Sequence, residues 1–346
     1  MNDSTQVEPP VLETRHPDQA WLSTEAEPVL DPGRTIIDPH HHFSHHWGGY
    51  GLGDLLGDTG AGHRVEATVY VQCGWRYRDT GPALSRPIGE TEAVVGLAED
   101  ARRLNAPTRV AAGIVGFADL RIGHAIEDLL HAQIEAGKGR FRGVRVAGSR
   151  HASFQHGVLG RPPLGLYGES AFRDGVRCLG KLGLSFDAWI YHPQIPEVLD
   201  LANAAPGTTI VLDHIGGMLG VGDYAGKRDA AFREWRELIR PLARCPNVVV
   251  KIGGYGTRVF GFDHDLQPKA PSSEVLANDW RPSIETVIEY FGADRCMFES
   301  NFPVDRASGS YRTVWNAFKR LASKASAAEQ DALFSETARR TYRLDA

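Results

Sequence analysis

Two imidazoles one residue apart at the end of a short apolar run are the residues of this chain best suited to chemistry. The run reads I-I-D-P-H-H-H-F over 36–43, and in it Asp38, His40 and His42 alternate with Ile37, Pro39 and His41. Side chains alternate along an extended strand, so His40 and His42 share a face about 7 Å apart along the backbone and can converge on one ion. His41, His45 and His46 lie close by and read as incidental. Two further histidines stand at the ends of later apolar runs: His192 in W-I-Y-H-P and His214 in L-D-H-I-G-G. Neutral imidazole is the commonest zinc ligand, and four imidazoles meeting at one mouth would make a metal site from His40, His42, His192 and His214. Asp213, beside His214, is placed to hold that imidazole, but its opposite strand facing favours a structural role.

A fold that carries such residues to one place must end several strands at a common face. Eight β-rich runs, at 34–40, 66–73, 109–116, 141–146, 184–192, 209–214, 247–253 and 295–300, alternate with segments of helical spacing such as 91–104, 125–136, 195–204, 231–242 and 284–291. That alternation predicts an α/β fold, a (β/α)₈ TIM barrel. A dinucleotide-binding sheet would want G-x-G-x-x-G in its first turn, where this chain has histidines. Residues 1–33, rich in proline, read as an N-terminal arm laid over a single barrel domain at 34–346. Two long connections, 147–169 and 253–282, follow strand ends and read as lids over the mouth.

Composition narrows the partners. The chain has 346 residues and a formal net charge of −5, without a block of like charges, which disfavours nucleic acid and anionic membranes and leaves a small-molecule substrate. A homo-oligomer is compatible with it. Cys73, Cys178, Cys245 and Cys296 are widely spaced, which disfavours both a disulfide framework and a zinc ribbon. The N-terminus lacks a signal-like pattern and no run is long enough to span a bilayer, so the expected location is the cytoplasm.

The ordered set D-P-H-H-H-F, F-R-G-V-R, Y-H-P, L-D-H-I-G-G, N-V-V-V-K-I-G-G and M-F-E-S-N-F-P-V-D resembles the amidohydrolase superfamily, of the amidohydrolase-2 type, and within it the lactonase-like TIM-barrel branch. The resemblance runs from about residue 28 to the C-terminus. It implies a site at the C-terminal ends of the strands, hydrolysis of a lactone or related carbonyl compound, and one divalent metal ion, Zn²⁺ in the first instance. Related pyrone-dicarboxylate and sugar-lactone hydrolases can dispense with the ion.

Two departures bear on mechanism. The fourth-strand lysine or glutamate that bridges two metals in many relatives is replaced by Arg142 and Arg145, so a binuclear centre is not expected. A guanidinium fork instead suits a substrate carboxylate. Three residues apart, the two arginines face opposite ways, and Arg145 is the one expected to reach the substrate. The strand-eight aspartate that serves the superfamily as general base is replaced by Asn301, which cannot accept a proton. Asp305, four residues on, is the leading substitute, while Glu299 is expected to face away from Ser300.

The resulting expectation has His40, His42 and His192, with His214, holding the ion or polarising the carbonyl. Asn301 orients a water, Asp305 takes its proton, Arg145 grips a remote carboxylate, and Gln72 and Tyr50 stand at the mouth. The alternatives are a metal-dependent decarboxylase of an aromatic or unsaturated acid, a barrel phosphodiesterase or nuclease disfavoured by the absence of a basic groove, and a non-catalytic small-ligand-binding barrel.

Overall fold

A computed structural model of the protein describes residues 10–13, 15–156 and 162–344. Eight parallel strands form the sheet: β1 (Thr35–His41), β2 (Arg64–Val71), β3 (Arg109–Gly116), β4 (Phe141–Ala147), β5 (Ser185–Trp189), β6 (Ile210–Leu212), β7 (Val248–Ile252) and β8 (Cys296–Phe298). They pair in chain order from β1 to β8. Beyond the strand ends the ring closes: His42 N–H donates to Phe302 O at 2.8 Å and Asn301 N–H to His40 O at 2.9 Å. The first and last strands are thereby tied together at the height of the histidines.

Helices wrap the ring: α1 (Leu52–Thr59), α2 (Ile88–Arg103), α3 (Glu127–Ala136), α4 (Ser170–Lys181), α5 (Ile195–Ala204), α6 (Arg228–Leu242), α7 (Ser273–Phe291) and α8 (Tyr311–Ala322). In α2, Ile88, Thr91, Val94, Val95, Ala98 and Ala101 are buried, a helical stripe turned to the sheet, and Arg102 and Arg103 in its last turn complement the helix dipole. Ser272 caps α7 and Ser310 caps α8, each accepting a backbone N–H three residues on. Each buried valine or leucine of such stripes contributes on the order of 1.5–3 kcal/mol.

The barrel interior is stratified. Ile37, Ala67, Val69, Val71, Val115, Val211 and Met297 pack against Ala338, Tyr342 and Leu344, so the C-terminal segment closes the lower end. The charged and imidazole side chains lie above this layer. The connection after β7 is shorter than 253–282, because α7 begins at Ser273 and carries Pro282 inside it, a residue that reads as a helix stop. Helices α1 and α4 contain glycines that blur their periodicity. Gly175 of α4 is needed for close packing, since a β-carbon there would fall 2.5 Å from Leu120 O.

The arm lies against the barrel. Val11–Leu12 pairs in parallel with Gln155–His156 of the connection after β4, Trp21 Nε1 donates to Gln267 O at 2.9 Å, and Lys319 Nζ donates to the carbonyls of Leu30 and Asp31 at 2.9 and 2.8 Å. The first nine residues of the expected arm, and 157–161 of the expected lid, lie outside the described residues. Among the described residues no helix is long and apolar enough to cross a membrane.

Candidate active site

His40 and His42 project together from the end of β1, and their Nε2 atoms are 3.3 Å apart. His42 Nδ1 lies 2.7 Å from the carbonyl of Val71. A carbonyl only accepts, so that nitrogen carries the proton and Nε2 keeps its lone pair. On the other ring, His40 Nδ1 is 2.8 Å from Glu299 Oε2 and 3.3 Å from Lys251 Nζ, and its Nε2 faces His42. Burial, reinforced by the Lys251 ammonium for His40 and the Arg145 guanidinium for His42, holds both rings well below the ordinary histidine pKa and hence neutral. His41 points the other way, to Thr68 Oγ1 at 2.9 Å.

A carboxylate joins two imidazoles beneath this pair. Glu299 Oε1 lies 2.6 Å from His214 Nδ1 and its Oε2 faces His40. Burial disfavours a charged His214, yet the adjoining Glu299 carboxylate holds its pKa above the ordinary value. Glu299 does face away from Ser300, as expected: Ser300 Oγ donates to Asp38 Oδ2 at 2.6 Å on the far side. Met297 lies in the interior, so a residue two positions on returns to it. That signal was present in the sequence, and Glu299 was missed as a site residue.

Lys251 of β7 forms the floor. Its Nζ is 2.7 Å from Asp187 Oδ2, 3.2 Å from Asp213 Oδ1 and 3.3 Å from His40 Nδ1, and Tyr342 OH donates to Asp187 at 2.7 Å. Burial opposes its charge, but Asp187 and Asp213 hold the ammonium pKa above the ordinary value. Single charged residues inside the apolar runs S-F-D-A-W and V-V-V-K-I were the available signal for Asp187 and Lys251.

Asp213 and His214 both serve this centre, against the expectation of opposite faces. β6 ends at Leu212, and His214 and Ile215 then take left-handed backbone conformations with φ of 53° and 51°. The alternation of a strand no longer applies past Leu212, and the turn swings both side chains inward. Two glycines after β7 leave room for Glu299 and His214. A β-carbon on Gly253 would fall 2.6 Å from Glu299 O, and one on Gly254 2.5 Å from His214 Nδ1.

Three of the four expected imidazoles are thus brought together, and His192 is not among them. β5 ends at Trp189, and His192 opens a short 3₁₀ turn in which strand alternation no longer sets its direction. Its Nδ1 accepts the Leu219 N–H at 3.1 Å, its ring meets Tyr224 at 4.7 Å, and its Nε2 lies 4.0 Å from Glu234. Tyr50 is also not at the mouth: its hydroxyl donates to Asp58 at 2.7 Å and its buried ring lies under Arg306. Arg142 lies near the N-terminal end of β4, roughly 10 Å along the strand from Arg145, beside Gly113 and Leu344.

Arg145 and Gln72 do lie next to the histidine pair. Arg145 Nη2 donates to the Gln72 carbonyl, and Gln72 Nε2 donates to the Arg145 carbonyl at 3.2 Å. Among the described residues, Arg145 Nε and Gln72 Oε1 are buried without a hydrogen-bond partner. Asn301 and Asp305 are joined, Nδ2 to Oδ1 at 2.8 Å. Burial raises the Asp305 carboxyl to about 7, against the opposing pull of His214.

The donor set suits a divalent cation. Two nitrogens bound to a tetrahedral zinc at ~2.0–2.1 Å stand roughly 3.3–3.4 Å apart, the separation found between His40 and His42 Nε2. His40, His214 and Glu299 also offer ligand atoms within 4.8 Å of one another.

Residues 37–344 match the amidohydrolase family profile, and the chain belongs to that family of TIM-barrel hydrolases. Over 333 residues, 96% of this chain and 95% of the relative, it is 32% identical to the uncharacterized protein y4mH of Sinorhizobium fredii. It is 27% identical over 327 residues to an L-fucono-1,5-lactonase of Burkholderia multivorans, covering 90% of this chain and 97% of that one. An amidohydrolase structure from Burkholderia multivorans with bound zinc superposes with a TM-score of 0.69 at 26% identity, covering 90% of this chain and 100% of the other. A 2,6-dihydroxybenzoate decarboxylase from Rhizobium, at 15% identity and a TM-score of 0.53, shares the fold.

Proposed function

We propose that this amidohydrolase is a lactonase: it hydrolyses a small cyclic ester that carries a carboxylate, by water attack above the His40–His42 pair. The observation that carries this reading is the pair of neutral imidazoles whose Nε2 atoms converge, 3.3 Å apart, beside a buried arginine and a carboxyl raised to about 7. The likeness to an L-fucono-1,5-lactonase supports it.

His40 and His42 would hold a divalent ion, Zn²⁺ by the donor set. When bound, such an ion supplies Lewis acidity and lowers the pKa of water. The remaining work falls to the chain. Arg145 binds the substrate carboxylate through the guanidinium edge that the Gln72 carbonyl leaves unused. Asp305 takes the proton of the attacking water and returns it to the leaving alkoxide, and Asn301 holds its carboxylate in place. Glu299 lies against His40 Nδ1, pairs with His214 Nδ1 and favours the charged form of His214 beside the developing oxyanion. His192 has no part in this assignment.

The test is product analysis with a panel of carboxylated lactones. Ring-opened acid supports the reading. Carbon dioxide from an aromatic acid would assign a decarboxylase, and binding of lactones without turnover would leave a non-catalytic barrel.

A further inference from the structure

A cavity of about 460 Å³ opens at the C-terminal ends of β2, β3 and β4, one residue past the carbonyl that fixes His42. Its size is that of a small-molecule site. Tyr77, Phe117, Val146 and the Pro162–Pro163 turn supply its walls, and Gln72 lies on the side nearest the histidines. The Tyr77 and Phe117 rings are neighbours, tilted by 34° to each other with centroids 6.5 Å apart.

The charges at the rim are spent on each other. Arg121 grips Asp119 through two hydrogen bonds, Nε to Oδ1 at 2.8 Å and Nη2 to Oδ2 at 2.7 Å. Neither is thereby drawn to a charged ligand. Burial pushes the Tyr77 phenol up, so it stays neutral. Among the described residues of the lining, the amide oxygen of Gln72 is buried without a hydrogen-bond partner. Such a lining rewards apolar surface and one donor. Sugar hydroxyls placed against Phe117, Val146 and the two prolines would meet apolar surface, at about 1–3 kcal/mol for each one buried unpaired.

From this lining we infer that the cavity is a substituent subsite for a planar aromatic group, so that the substrate class is an aryl-bearing lactone rather than a polyhydroxylated sugar lactone. The inference rests on the lactonase reading for what happens at His40 and His42, but the subsite itself is a binding claim. The lactone ring sits over the histidine pair, and its substituent runs past Gln72 along the Tyr77 and Phe117 wall.

Two measurements separate the claims. By calorimetry, 3-phenylpropionate binds at least tenfold tighter than D-gluconate. Phe117→Ala, which removes a wall, and Ala147→Phe, which fills the space, each weaken phenylpropionate at least fivefold more than gluconate, with melting curves showing both variants folded. In turnover, δ-phenyl-δ-valerolactone has a kcat/KM at least tenfold above that of δ-valerolactone and of D-glucono-1,5-lactone. Equal binding of the two acids, or phenylpropionate binding that neither variant changes, overturns the subsite. If phenylpropionate binds as expected and neither these lactones nor the carboxylated panel is opened, the subsite stands and the lactonase reading fails. If the sugar lactone is the better substrate, the lactonase reading stands and the aromatic assignment fails.

Discussion

Gly254 lies so close to the His214 ring that a β-carbon on it would fall 2.6 Å from His214 Cβ, and its φ of +77° is one that only glycine adopts without strain. The second glycine of K-I-G-G therefore decides whether His214 can reach Glu299. Gly254→Ala is expected to displace that imidazole. Left-handed backbone alone costs an alanine about 1–2 kcal/mol, and the steric overlap adds to it. The expected outcome is a melting temperature several degrees lower and activity reduced at least 100-fold, read by calorimetry and steady-state kinetics on one preparation.

Glu299→Gln removes the charge between His40 and His214 while keeping its shape. Breaking one side of a buried ion pair typically costs about 3–5 kcal/mol. Urea denaturation at pH 7 should show a loss of that order. A change below about 1 kcal/mol would mean that the His214–Glu299 pair is not ionic.

The Asp305 carboxyl supplies a pH dependence with a definite sign. As a base it acts only when ionised, so kcat/KM should rise with pH through about 7, and Asp305→Asn should remove that limb along with most of the activity. Stability runs the other way. The folded pKa is raised above the unfolded 3.8, so this group's contribution is fully present below about pH 4 and is lost as pH rises through about 7. A rate limb that survives in the variant would remove Asp305 from the mechanism.

Elemental analysis of the purified protein should find about one divalent ion per chain, and His42→Ala should lose most of it. Full lactonase turnover after chelation would instead leave His40 and His42 acting as hydrogen-bonding groups. In that event His42→Ala should still reduce the rate.

Lys319 stitches the arm to the barrel through the carbonyls of Leu30 and Asp31 and through His63 Nδ1 at 2.8 Å. Lys319→Ala leaves those acceptors unpaired, at about 1–3 kcal/mol. Limited proteolysis should then cut the arm at least fivefold faster than in the parent, with little change in lactone turnover.

The barrel was legible because its signals are local. Runs such as R-V-A-A-G-I-V-G carry their β character in their own residues, and the observed β3 spans the same positions. His40 and His42 were legible as a pair for the same reason, since two residues on one strand share a face whatever surrounds them. Direction was harder to read where the backbone leaves the strand. His192 and His214 each follow a strand end by two or three residues, yet one turns toward Tyr224 and the other into the barrel. The left-handed turn at His214 and the 3₁₀ turn at His192 made that difference.

Residue types and spacing by themselves determined the parallel barrel, the position of its mouth and the two leading histidines, because periodicity and alternation act over a few neighbouring residues. Tertiary structure alone decided that Glu299 joins His40 to His214, that Lys251 lies beneath them between Asp187 and Asp213, and that Tyr50 and Arg142 lie elsewhere. Those meetings join residues up to 259 positions apart, and the closing of the ring, rather than any local preference, sets which side chains share its interior.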